Sequence, residues 1–546
     1  MSEVDAMCES PNILIILNDD MGFSDIGCYG GEIETPNLDR LASGGLRYSQ
    51  FYNTARCSPS RASLLTGLHP HQTGIGILTY DTGPEGYPGD LSKNCITIAE
   101  VLKRKNYRCY LSGKWHIAKN LTTPTGAWPL QRGFDEFFGT IIGAGSFYNP
   151  NTLTRGNDNV EHEAEQDPEF FYTDAISDQA VDYVRAHVKD HPKTPFFQYV
   201  AYTAPHWPLH AHEEDIAKYK GRFDAGWDRL REERLARLVK DGIIHPAWRL
   251  TDRDPTQPPW TEAEHREWLL RCMEVYAAQI DRMDQGIGRI VQALEETSQF
   301  ENTLIIFLSD NGACAEDIPE GVTAKELVDE LMIAKATTRT GELVRFGNDP
   351  SIMPGGEDTY QSYGTAWANL SNAPFRLYKH WIHEGGIATP LIVHWPRGIA
   401  EAGGLRHHPG QLPDIMATIL DVTGAAYPRE HDGHAIPPCE GESLVPSFTA
   451  DDTERGPLFW EHEGNAAVRV GKWKLVRNYP GPWELYDLEA DRTELHDLAT
   501  QHPERVGEMS GQYAAWAERC GVIPREKILE LMKAQAGKAF WEDTAE

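Results

Sequence analysis

Two pairs of oxygen-bearing side chains follow apolar segments of this sequence. Asp19 and Asp20 come after one such segment, and Asp310 and Asn311 come after another. Adjacent acids at such a place often form only a turn or cap a helix, and that alternative stays open for each pair. If the pairs meet, they offer three carboxylates and an amide carbonyl, which are hard oxygen ligands suited to Ca²⁺ or Mg²⁺ rather than Zn²⁺. The two pairs therefore predict a divalent-cation site.

A cysteine stands just before a predicted helix. Residues 57–61 are Cys-Ser-Pro-Ser-Arg, and the proline predicts a helix that begins near Pro59. A helix N-terminus offers free N–H groups and the positive end of a dipole, which suits a sulfate group. Arg61, one turn into the helix, is a candidate to hold the oxygens of a nucleophile or to offset the carboxylates. In the alternative interpretation Cys57 is a small buried apolar residue, Ser58 is an ordinary N-cap and Arg61 is a surface or ion-paired side chain.

Four more cationic or titratable side chains are candidates for the same chemistry. Lys114 and His116 lie two residues apart behind an apolar segment, His206 stands between two prolines, and Lys379 lies much further along the chain. Taken singly, each has an ordinary structural explanation, because the chain has 21 histidines and most lysines are solvated at the surface. They become candidates for catalysis only if the strands near them in the sequence bring them together at one site.

Five short apolar runs are predicted to be buried strands of a parallel sheet. They lie at residues 13–17, 108–111, 196–202, 304–308 and 391–393. Between them, helical spacing is clearest at residues 262–296, where apolar side chains recur every three or four positions. Strands that alternate with helices predict an α/β fold.

The first four of these strands are each followed at once by acids, amides, Lys or His. In open α/β sheets, ligands bind beyond the carboxyl ends of the strands. Asp19, Lys114, His206 and Asp310 all lie in such following segments. We therefore expect four distant parts of the chain to converge on one crevice.

The pattern divides the chain into two predicted domains. Residues 1–450 form a catalytic α/β domain, and residues 451–546 form a small C-terminal α+β domain. In the first, residues 209–260 and 313–372 have weak periodicity and are expected to form long excursions around the mouth of the site. In the second, residues 466–476 alternate like a strand, and helical segments follow later.

The composition is that of a folded globular protein with a strong acidic excess. The chain has 546 residues, 40% of them apolar, and a formal net charge of −31. That charge argues against nucleic acid as a partner, because phosphate backbones are bound by basic surfaces. A small anionic substrate is still compatible with it, since a local cationic pocket with a metal can lie inside an acidic protein.

No segment predicts a membrane partner or a secretory route. No apolar run approaches the length of a membrane span. Residues 1–10 are acidic and lack the apolar stretch of a secretory signal. The nine cysteines are scattered and contain no C-x-x-C pair, so neither a disulfide framework nor a zinc site is expected. We expect a cytoplasmic protein, with a periplasmic or secreted form that has lost its leader as the alternative.

Several motifs together resemble the sulfatase family, and most closely its soluble bacterial arylsulfatases. The stretch from Cys57 to Gly67 fits the family's C-x-P-x-R signature and the A-S-L-L-T-G that follows it. Further matches are Asn18-Asp19-Asp20, Gly113-Lys114-Trp115-His116, Ala204-Pro205-His206, Ser309-Asp310-Asn311-Gly312, and Lys379 ahead of Glu384-Gly385-Gly386. One departure is the run Arg376-Leu377-Tyr378, where many relatives have glycines before the lysine.

The resemblance implies an alkaline-phosphatase-like fold, in which a large mixed, mostly parallel sheet is flanked by helices and a smaller C-terminal domain carries an antiparallel sheet. It implies that a separate maturation enzyme oxidises Cys57 to Cα-formylglycine. It also implies one Ca²⁺ rather than Mg²⁺, held by Asp19, Asp20, Asp310 and Asn311. The implied activity is that of a sulfuric ester hydrolase, which converts a small-molecule aryl sulfate and water to a phenol and inorganic sulfate.

The family's mechanism assigns the first step to residues around the modified cysteine. One oxygen of the aldehyde hydrate at Cys57 attacks sulfur, and its proton passes towards Asp310. Arg61, Lys114 and Lys379 stabilise negative charge on the nucleophile and on the sulfuryl oxygens. These assignments come from the resemblance and not from the spacing of the residues.

The same resemblance assigns the proton transfers to two histidines. His206, aided by Lys379, protonates the leaving oxygen. His116 then takes the proton of the remaining hydroxyl, so that sulfate leaves and the aldehyde returns. Lys114, His206 and Lys379 are the residues expected to contact the substrate.

Two rival interpretations stay open. A phosphonate monoester or phosphodiester hydrolase would use the same aldehyde and metal, although Lys114 together with His116 favours sulfate because such relatives differ there. A metal-stabilised binding protein with an unconverted Cys57 would catalyse no hydrolysis. The natural ester, the preference for aryl or alkyl groups and the oligomeric state have no motif in this sequence.

Overall fold

The computed structural model describes residues 10–451 and 454–535. The prediction that the chain has no secretory signal concerns residues 1–10, of which 1–9 lie outside the described residues. Within the described residues, no helix combines the length and the hydropathy needed to cross a membrane. The eight cysteines in the same part of the chain are all free thiols.

Most of the strands form one large central sheet, and a smaller sheet lies near the C-terminus. The strands are β1 (Asn12–Asn18), β2 (Leu46–Tyr52), β3 (Arg108–Gly113), β4 (Glu136–Thr140), β5 (Leu153–Arg155), β6 (Asp158–Asn159), β7 (Phe196–Ala201), β8 (Thr303–Ser309), β9 (Arg345–Phe346), β10 (Thr359–Tyr360), β11 (Ala388–His394), β12 (Gly404–Arg406), β13 (Gly410–Gln411), β14 (Glu430–His431), β15 (His434–Ala435), β16 (Leu458–His462), β17 (Asn465–Val470), β18 (Trp473–Arg477) and β19 (Glu484–Asp487).

Helices cover both faces of the central sheet and follow the smaller one. The α-helices are α1 (Pro36–Gly44), α2 (Cys57–Thr66), α3 (Pro70–Thr73), α4 (Ile98–Lys103), α5 (Glu161–Gln166), α6 (Tyr172–Asp190), α7 (Glu213–Tyr219), α8 (Gly226–Lys240), α9 (Arg266–Glu296), α10 (Gly364–Ser371), α11 (Glu384–Ile387), α12 (Pro413–Thr423), α13 (Pro503–Cys520) and α14 (Arg525–Gln535). Short 3₁₀ turns lie at Gly27–Tyr29, Pro129–Arg132, Trp260–Glu262, Phe300–Asn302 and Val445–Phe448, and a π turn lies at Lys325–Glu330.

Five parallel strands form the middle of the central sheet, in the order β8-β1-β7-β3-β4. They are apolar along their length because helices cover both faces of the sheet. Leu14 and Ile16 of β1 face the core that includes α6 and α9. Ile13, Ile15 and Leu17 face the opposite core, which includes α2, α4 and α12. The structure thus confirms the predicted α/β fold.

The carboxyl ends of these strands lie at one edge of the sheet. Asn18 at the end of β1 is in register with Ser309 at the end of β8. Ala201 at the end of β7 is in register with Leu17 and with Gly113 at the end of β3. The residues after each strand therefore start from the same edge, which confirms the predicted convergence of four segments.

The fifth predicted strand runs in the opposite direction. β11 is antiparallel to both β8 and β2, so the prediction that residues 391–393 belong to a parallel strand is wrong. Because β11 is reversed, the segment before it, rather than the one after it, reaches the edge where the other strands end. β2, which the sequence did not predict, ends at Tyr52 beside Ala388, the first residue of β11. This pair of strands brings Cys57 and Lys379 to the same edge.

The C-terminal part of the chain forms an antiparallel sheet, as predicted, and the structure gives it four strands in the order β16-β17-β18-β19. The single strand predicted at residues 466–476 is instead a hairpin, because Gly471, with a φ of 57°, turns the chain between β17 and β18. Val468 and Leu475 pack against Trp516 of α13 in a separate apolar core. The boundary between the two domains at residue 450 stays a prediction.

A buried network of ion pairs joins the C-terminal sheet to the central sheet. Glu384 accepts a hydrogen bond from Lys474 Nζ at 2.9 Å and from Arg492 Nε at 2.7 Å. Tyr52 at the end of β2 donates to Glu384 at 3.0 Å, and Lys474 also pairs with Glu494 at 2.8 Å. We call these four charged residues, Glu384, Lys474, Arg492 and Glu494, the Glu384 cluster. Since all four are buried, loss of one partner would leave an uncompensated charge.

Candidate active site

The two oxygen-bearing pairs meet beyond the ends of β1 and β8. The backbone N–H of Asp20 donates to Asp310 Oδ1 at 3.2 Å, and Asn311 Nδ2 donates to Asp20 Oδ1 at 2.7 Å. Asp20 has a φ of 69°, in the left-handed region that residues other than glycine rarely occupy. All of these side chains are buried, so the predicted meeting of the two pairs is confirmed.

Two oxygens of this group have no hydrogen-bond partner. They are Asp19 Oδ1 and Asn311 Oδ1, and both are buried. Asp19, Asp20 and His206 also each offer one ligand atom within 4.8 Å of the others. Buried acceptors without a donor are unfavourable, and a divalent cation that prefers oxygen ligands would satisfy them. The residues therefore fit a bound cation such as Ca²⁺.

Arg61 and Lys114 form ion pairs with two of the carboxylates. Lys114 Nζ donates to Asp19 Oδ2, and Arg61 lies 2.9 Å from Asp310 Oδ2 and 3.6 Å from Asp19 Oδ2. Burial would raise the pKa of Asp19, but the charges of Lys114 and Arg61 hold it well below its usual range. Burial and the charge of Asp19 raise the pKa of Asp310 well above its usual range. Of these two carboxyls, Asp310 is therefore the one that takes up a proton first as the pH falls.

Cys57 is the first residue of α2, two positions before the predicted start at Pro59. Arg56 is the N-cap residue, so the alternative in which Ser58 caps the helix is wrong. Cys57 Sγ lies 3.4 Å from His116 Nδ1 and the residue is only 3% exposed. Burial raises the pKa of the Cys57 thiol. An unmodified thiol at this position would stay protonated and be a poor nucleophile.

The ring of His116 is held beside Cys57 by the local backbone. His116 has a φ of 54° just after β3, and its ring occupies the space next to Gly143. A Cβ added to Gly143 would lie 2.1 Å from that ring, so only glycine fits there. Burial, and then the charge of Lys114, lowers the pKa of His116 well below its ordinary value. The imidazole is therefore neutral at physiological pH and can accept a proton.

Lys379 and His206 meet at Asp20. Lys379 Nζ donates to Asp20 Oδ2 at 2.9 Å and lies 3.3 Å from His206 Nε2. His206 Nδ1 lies 2.7 Å from the carbonyl oxygen of Trp207, which assigns the ring proton to Nδ1 and leaves Nε2 to accept from Lys379. The departure from the family before Lys379 carries a backbone cost, because Leu377 has a φ of 66°, a conformation that favours glycine.

Two charged residues of the site were not predicted from the sequence. Glu316 lies 3.6 Å from Lys379, accepts from Trp207 Nε1 at 3.1 Å and pairs with Arg56 at 2.8 Å. Burial would raise the pKa of Glu316, but Lys379 and Arg56 hold it well below its usual range. Arg56 could have been predicted from the sequence, because it directly precedes Cys57. Glu316 follows β8 in an irregular segment, and no local pattern marks it.

Both predicted excursions contribute to a small cavity beside the site. Asp20 and His206 line this cavity together with Leu209 from the first excursion and with Ser362 and Tyr363 from the second. The wider expectation that residues 209–260 and 313–372 surround the mouth of the site stays a prediction. Their influence on the choice of substrate stays a prediction.

The structure brings together all ten site residues predicted from the sequence. They are Asp19, Asp20, Cys57, Arg61, Lys114, His116, His206, Asp310, Asn311 and Lys379. Six of them carry formal charge, and we call these the active-site charge cluster: Asp19, Asp20, Asp310, Arg61, Lys114 and Lys379. The roles of the ten residues in catalysis stay predictions.

Comparison with known proteins gives the family. A family model described as Sulfatase matches residues 11–425, and one described as N-sulphoglucosamine sulphohydrolase, C-terminal, matches residues 375–510. An uncharacterised sulfatase of Schizosaccharomyces pombe is 31% identical over an alignment of 557 positions that covers 95% of each protein. An arylsulfatase of Klebsiella aerogenes is 34% identical over 440 residues, which cover 77% of this chain and 88% of that protein. The solved structure of Ps i-CgsB in complex with k-i-k-neocarrahexaose has a TM-score of 0.64 at 25% identity and covers 93% of both chains.

The fold and the site thus define a hydrolase of the alkaline-phosphatase-like superfamily. Within it, this chain belongs to the sulfatase family and is a sulfuric ester hydrolase. The resemblance seen in the sequence motifs is confirmed.

Proposed function

We propose that this protein hydrolyses sulfate monoesters, including aryl sulfates, with a nucleophile made from Cys57 and with one bound Ca²⁺. The observation that carries the proposal is the position of Cys57, a buried thiol of raised pKa that contacts His116 at the edge of the active-site charge cluster. Oxidation of Cys57 to formylglycine would supply a hydrate with one hydroxyl to attack sulfur and a second whose deprotonation expels sulfate.

Charge balance supports a sulfate ester as the substrate. Three carboxylates of the active-site charge cluster face three cationic side chains, so a divalent cation adds two positive charges in excess. A sulfate monoester brings one negative charge, and the deprotonated nucleophile brings a second. The charges of the site are therefore balanced only when the substrate and the activated nucleophile are both present, which favours the transition state over the free enzyme.

The residues around position 57 are placed to activate the nucleophile. His116 is neutral and lies 3.4 Å from Cys57 Sγ, within reach of a proton on a hydroxyl at that position. Arg61 and Lys114 place two fully buried positive charges beside the same point, where they stabilise developing oxygen charge. Ca²⁺ held by the two oxygen-bearing pairs would add polarisation of a sulfate oxygen. Asp310 can accept the proton of the attacking hydroxyl.

His206 and Lys379 are placed to protonate the leaving oxygen. Lys379 Nζ lies 3.3 Å from His206 Nε2, so both groups can reach the same leaving oxygen. Once it is protonated, the His206 ring can donate from Nε2 to the alcohol oxygen as the S–O bond breaks. Asp20, 3.3 Å from the same nitrogen, stabilises the imidazolium.

Two findings support an aryl or other apolar leaving group. The Klebsiella relative is named as an arylsulfatase. In addition, Cys57 packs in a small apolar cluster with Ile77, Leu78, Tyr87 and Ile528, so apolar side chains line one side of the nucleophile. An aromatic ring bonded to sulfate oxygen would lie favourably against these side chains.

Conversion of Cys57 must precede folding, because the residue is only 3% exposed in the folded chain. The predicted maturation enzyme would therefore act on an unfolded or nascent chain. The cytoplasmic location stays a prediction.

Mass spectrometry of a peptide that spans residue 57 tests the proposal, with protein made in a host able to convert the cysteine. We expect an aldehyde that reacts with a hydrazine. We also expect Cys57→Ser to lose sustained turnover by at least about 10⁴-fold, since a serine has no second hydroxyl. Unmodified Cys57 in a fully active enzyme would contradict the proposal. A higher kcat/KM on matched phosphodiesters or phosphonate monoesters would favour the rival hydrolase.

A further inference from the structure

A second polar cluster lies beside Cys57 and takes no part in the proposed chemistry. We call it the outer cluster, because four of its five side chains are 12–31% exposed, and the fifth is a buried side chain packed against them. His380 follows Lys379 directly, and its N–H donates to the carbonyl of Ala55 at 2.7 Å, so the cluster adjoins the start of α2. The members of the outer cluster are Arg56, His380, His462, Glu463 and Arg525.

His462 is the most unusual member of the outer cluster. It is 1% exposed, yet neither ring nitrogen has a hydrogen-bond partner. Its ring centroid lies 5.4 Å from that of His380, at an angle of 82°. Burial, and then the charges of His380 and Arg56, hold the pKa of His462 well below its ordinary value. A buried neutral imidazole with two free nitrogens is costly unless a ligand uses it.

Each of the two guanidinium groups of the outer cluster forms an ion pair but also has a buried nitrogen without a hydrogen-bond partner. Arg56 pairs with Glu316 at 2.8 Å, and its buried Nε has no partner. Arg525, the first residue of α14, pairs with Glu463 at 3.2 Å, and one of its terminal nitrogens is likewise buried without a partner. Donors left free on two cations beside an unpaired imidazole favour an anion or another acceptor.

A cation at His380, His462 and Glu463 is the competing interpretation of the same residues. Their ligand atoms lie within 4.8 Å of one another, and His380 Nδ1 is 3.6 Å from Glu463 Oε2. However, Arg525 already occupies that Glu463 oxygen. A metal ion there would also lie next to the positive charges of Arg525 and Arg56, which the electrostatics oppose.

We propose that the outer cluster binds an anionic group on the alcohol portion of the sulfate ester. The same subsite has an apolar side, since Ile528 and Cys57 share one apolar cluster and Ile528 lies on α14 three residues after Arg525. The substrate class is therefore a sulfated aromatic or similar apolar alcohol that carries a carboxylate or a second sulfate. This inference rests on the proposed function, because it places the leaving group beside Cys57.

Paired substrates test the inference. We would compare kcat/KM for phenyl sulfate with that for its 2-, 3- and 4-carboxylate derivatives and for the corresponding sulfonates, at low and high salt. We expect at least one acid-bearing isomer to be favoured by about tenfold or more, and we expect Arg525→Gln to reduce that ratio by a similar factor. The ratio between variants cancels the intrinsic reactivity of each ester.

Lys527→Gln is the matched control, because it removes a positive charge from α14 two residues away, where the side chain is 58% exposed and paired only with Glu530 within the described residues. We expect this variant to keep the wild-type ratio. If Lys527→Gln lowers the ratio as much as Arg525→Gln does, the effect is long-range steering and the proposed subsite is wrong. If the wild-type enzyme has the same kcat/KM for phenyl sulfate and for all the acid-bearing esters, the proposed subsite is wrong too.

A binding measurement separates this inference from the proposed function. Calorimetry with Cys57→Ala and hydroxybenzoate, compared with phenol, needs no catalysis and should show tighter binding of the acid, lost in Arg525→Gln. Absence of any ester hydrolysis together with selective hydroxybenzoate binding would refute the proposed function and leave the subsite standing. Titration with Zn²⁺ alone is the last arm. Stoichiometric binding that His462→Ala abolishes would identify a cation site and overturn the anion subsite.

Discussion

Two groups of buried charged side chains lie in this protein, and they differ in whether their carboxylate oxygens all have hydrogen-bond or ion-pair partners. The Glu384 cluster has two carboxylates and two cationic side chains. Both oxygens of Glu384 accept hydrogen bonds, from Lys474, Arg492 and Tyr52. The active-site charge cluster also pairs each carboxylate with a cation, but Asp19 Oδ1 and the neighbouring Asn311 Oδ1 remain without partners.

The comparison shows that burial of charge by itself does not mark a functional site. In the Glu384 cluster the central carboxylate has both oxygens satisfied, although Arg492 Nη2 and Glu494 Oε1 have no hydrogen-bond partner, so the loss of Glu384 should affect folding. A functional cluster leaves acceptors and charge for a ligand to complete, so its removal should affect chemistry more than folding. The following predictions test this distinction, in order of decreasing effect.

The largest effects should come from replacing one carboxyl by an amide in each cluster. We expect Asp310→Asn to lower kcat/KM by about 10³-fold or more, because it removes a charged ligand oxygen and the partner of Arg61. The free energy of unfolding of the metal-free protein should change by less than about 1 kcal/mol, since the raised pKa of Asp310 already favours its neutral form. Steady-state kinetics and urea unfolding provide the two measurements.

Glu384→Gln should show the reverse pattern. We expect the free energy of unfolding to fall by about 3–5 kcal/mol, because Lys474 and Arg492 lose the charge between them. The kcat/KM of the folded fraction should stay close to that of the wild type. Similar losses of stability in both variants would contradict the distinction between the clusters.

His206→Ala should give the next largest effect and depend on the leaving group. We expect kcat/KM for esters of poorly acidic alcohols to fall by about 10²- to 10³-fold, and that for nitrophenyl sulfate by less than tenfold, because only poor leaving groups need a proton. A plot of log kcat/KM against the leaving-group pKa measures this as a steeper slope. Equal losses across the series would remove His206 as the general acid.

Acid should weaken the Glu384 cluster over a defined pH range. Burial alone would raise the pKa of Glu384, but Lys474 and Arg492 lower it to about 2. A carboxyl whose pKa is lower in the folded than in the unfolded protein stabilises the fold above about pH 4.5, and this contribution is lost as the pH falls towards 2. The whole contribution is about 3 kcal/mol. Urea unfolding at several pH values should show a smaller pH slope in Glu384→Gln, and an identical slope would disprove this account.

The smallest expected signal is a proton released by Ca²⁺ binding. Burial and the charge of Asp19 raise the pKa of Asp310, so the metal-free site takes up a proton there at a higher pH than an ordinary carboxyl does, and a cation must displace that proton. Calorimetry in two buffers of different ionisation enthalpy should show proton release that increases as the pH is lowered from neutral. Asp310→Asn should release none, whereas Glu384→Gln should behave like the wild type. Proton release that persists in Asp310→Asn would place the displaced proton elsewhere.

Local patterns predicted those parts of the protein that short segments specify. The run before Asp19 is apolar on both faces and could only be a buried strand, and the motif after it was visible in the same stretch. The hairpin at residues 465–477 was predicted as one strand because its alternation continues across Gly471. The direction of β11 was also missed, since an apolar run has the same pattern whether its neighbours are parallel or antiparallel.

The sequence by itself determined the α/β class and four of the strands whose ends carry the site, because short apolar runs specify them. The ten residues that meet there were predicted because their short motifs together resemble those of one family. The tertiary structure alone decided the reversed strand that delivers Lys379, the pairing of Glu316 with Arg56 and Lys379, and the unpaired nitrogens of His462. These features depend on contacts between residues far apart in the chain. The residues next to a charged side chain in the sequence do not specify which distant partner it will contact, or whether it will have one.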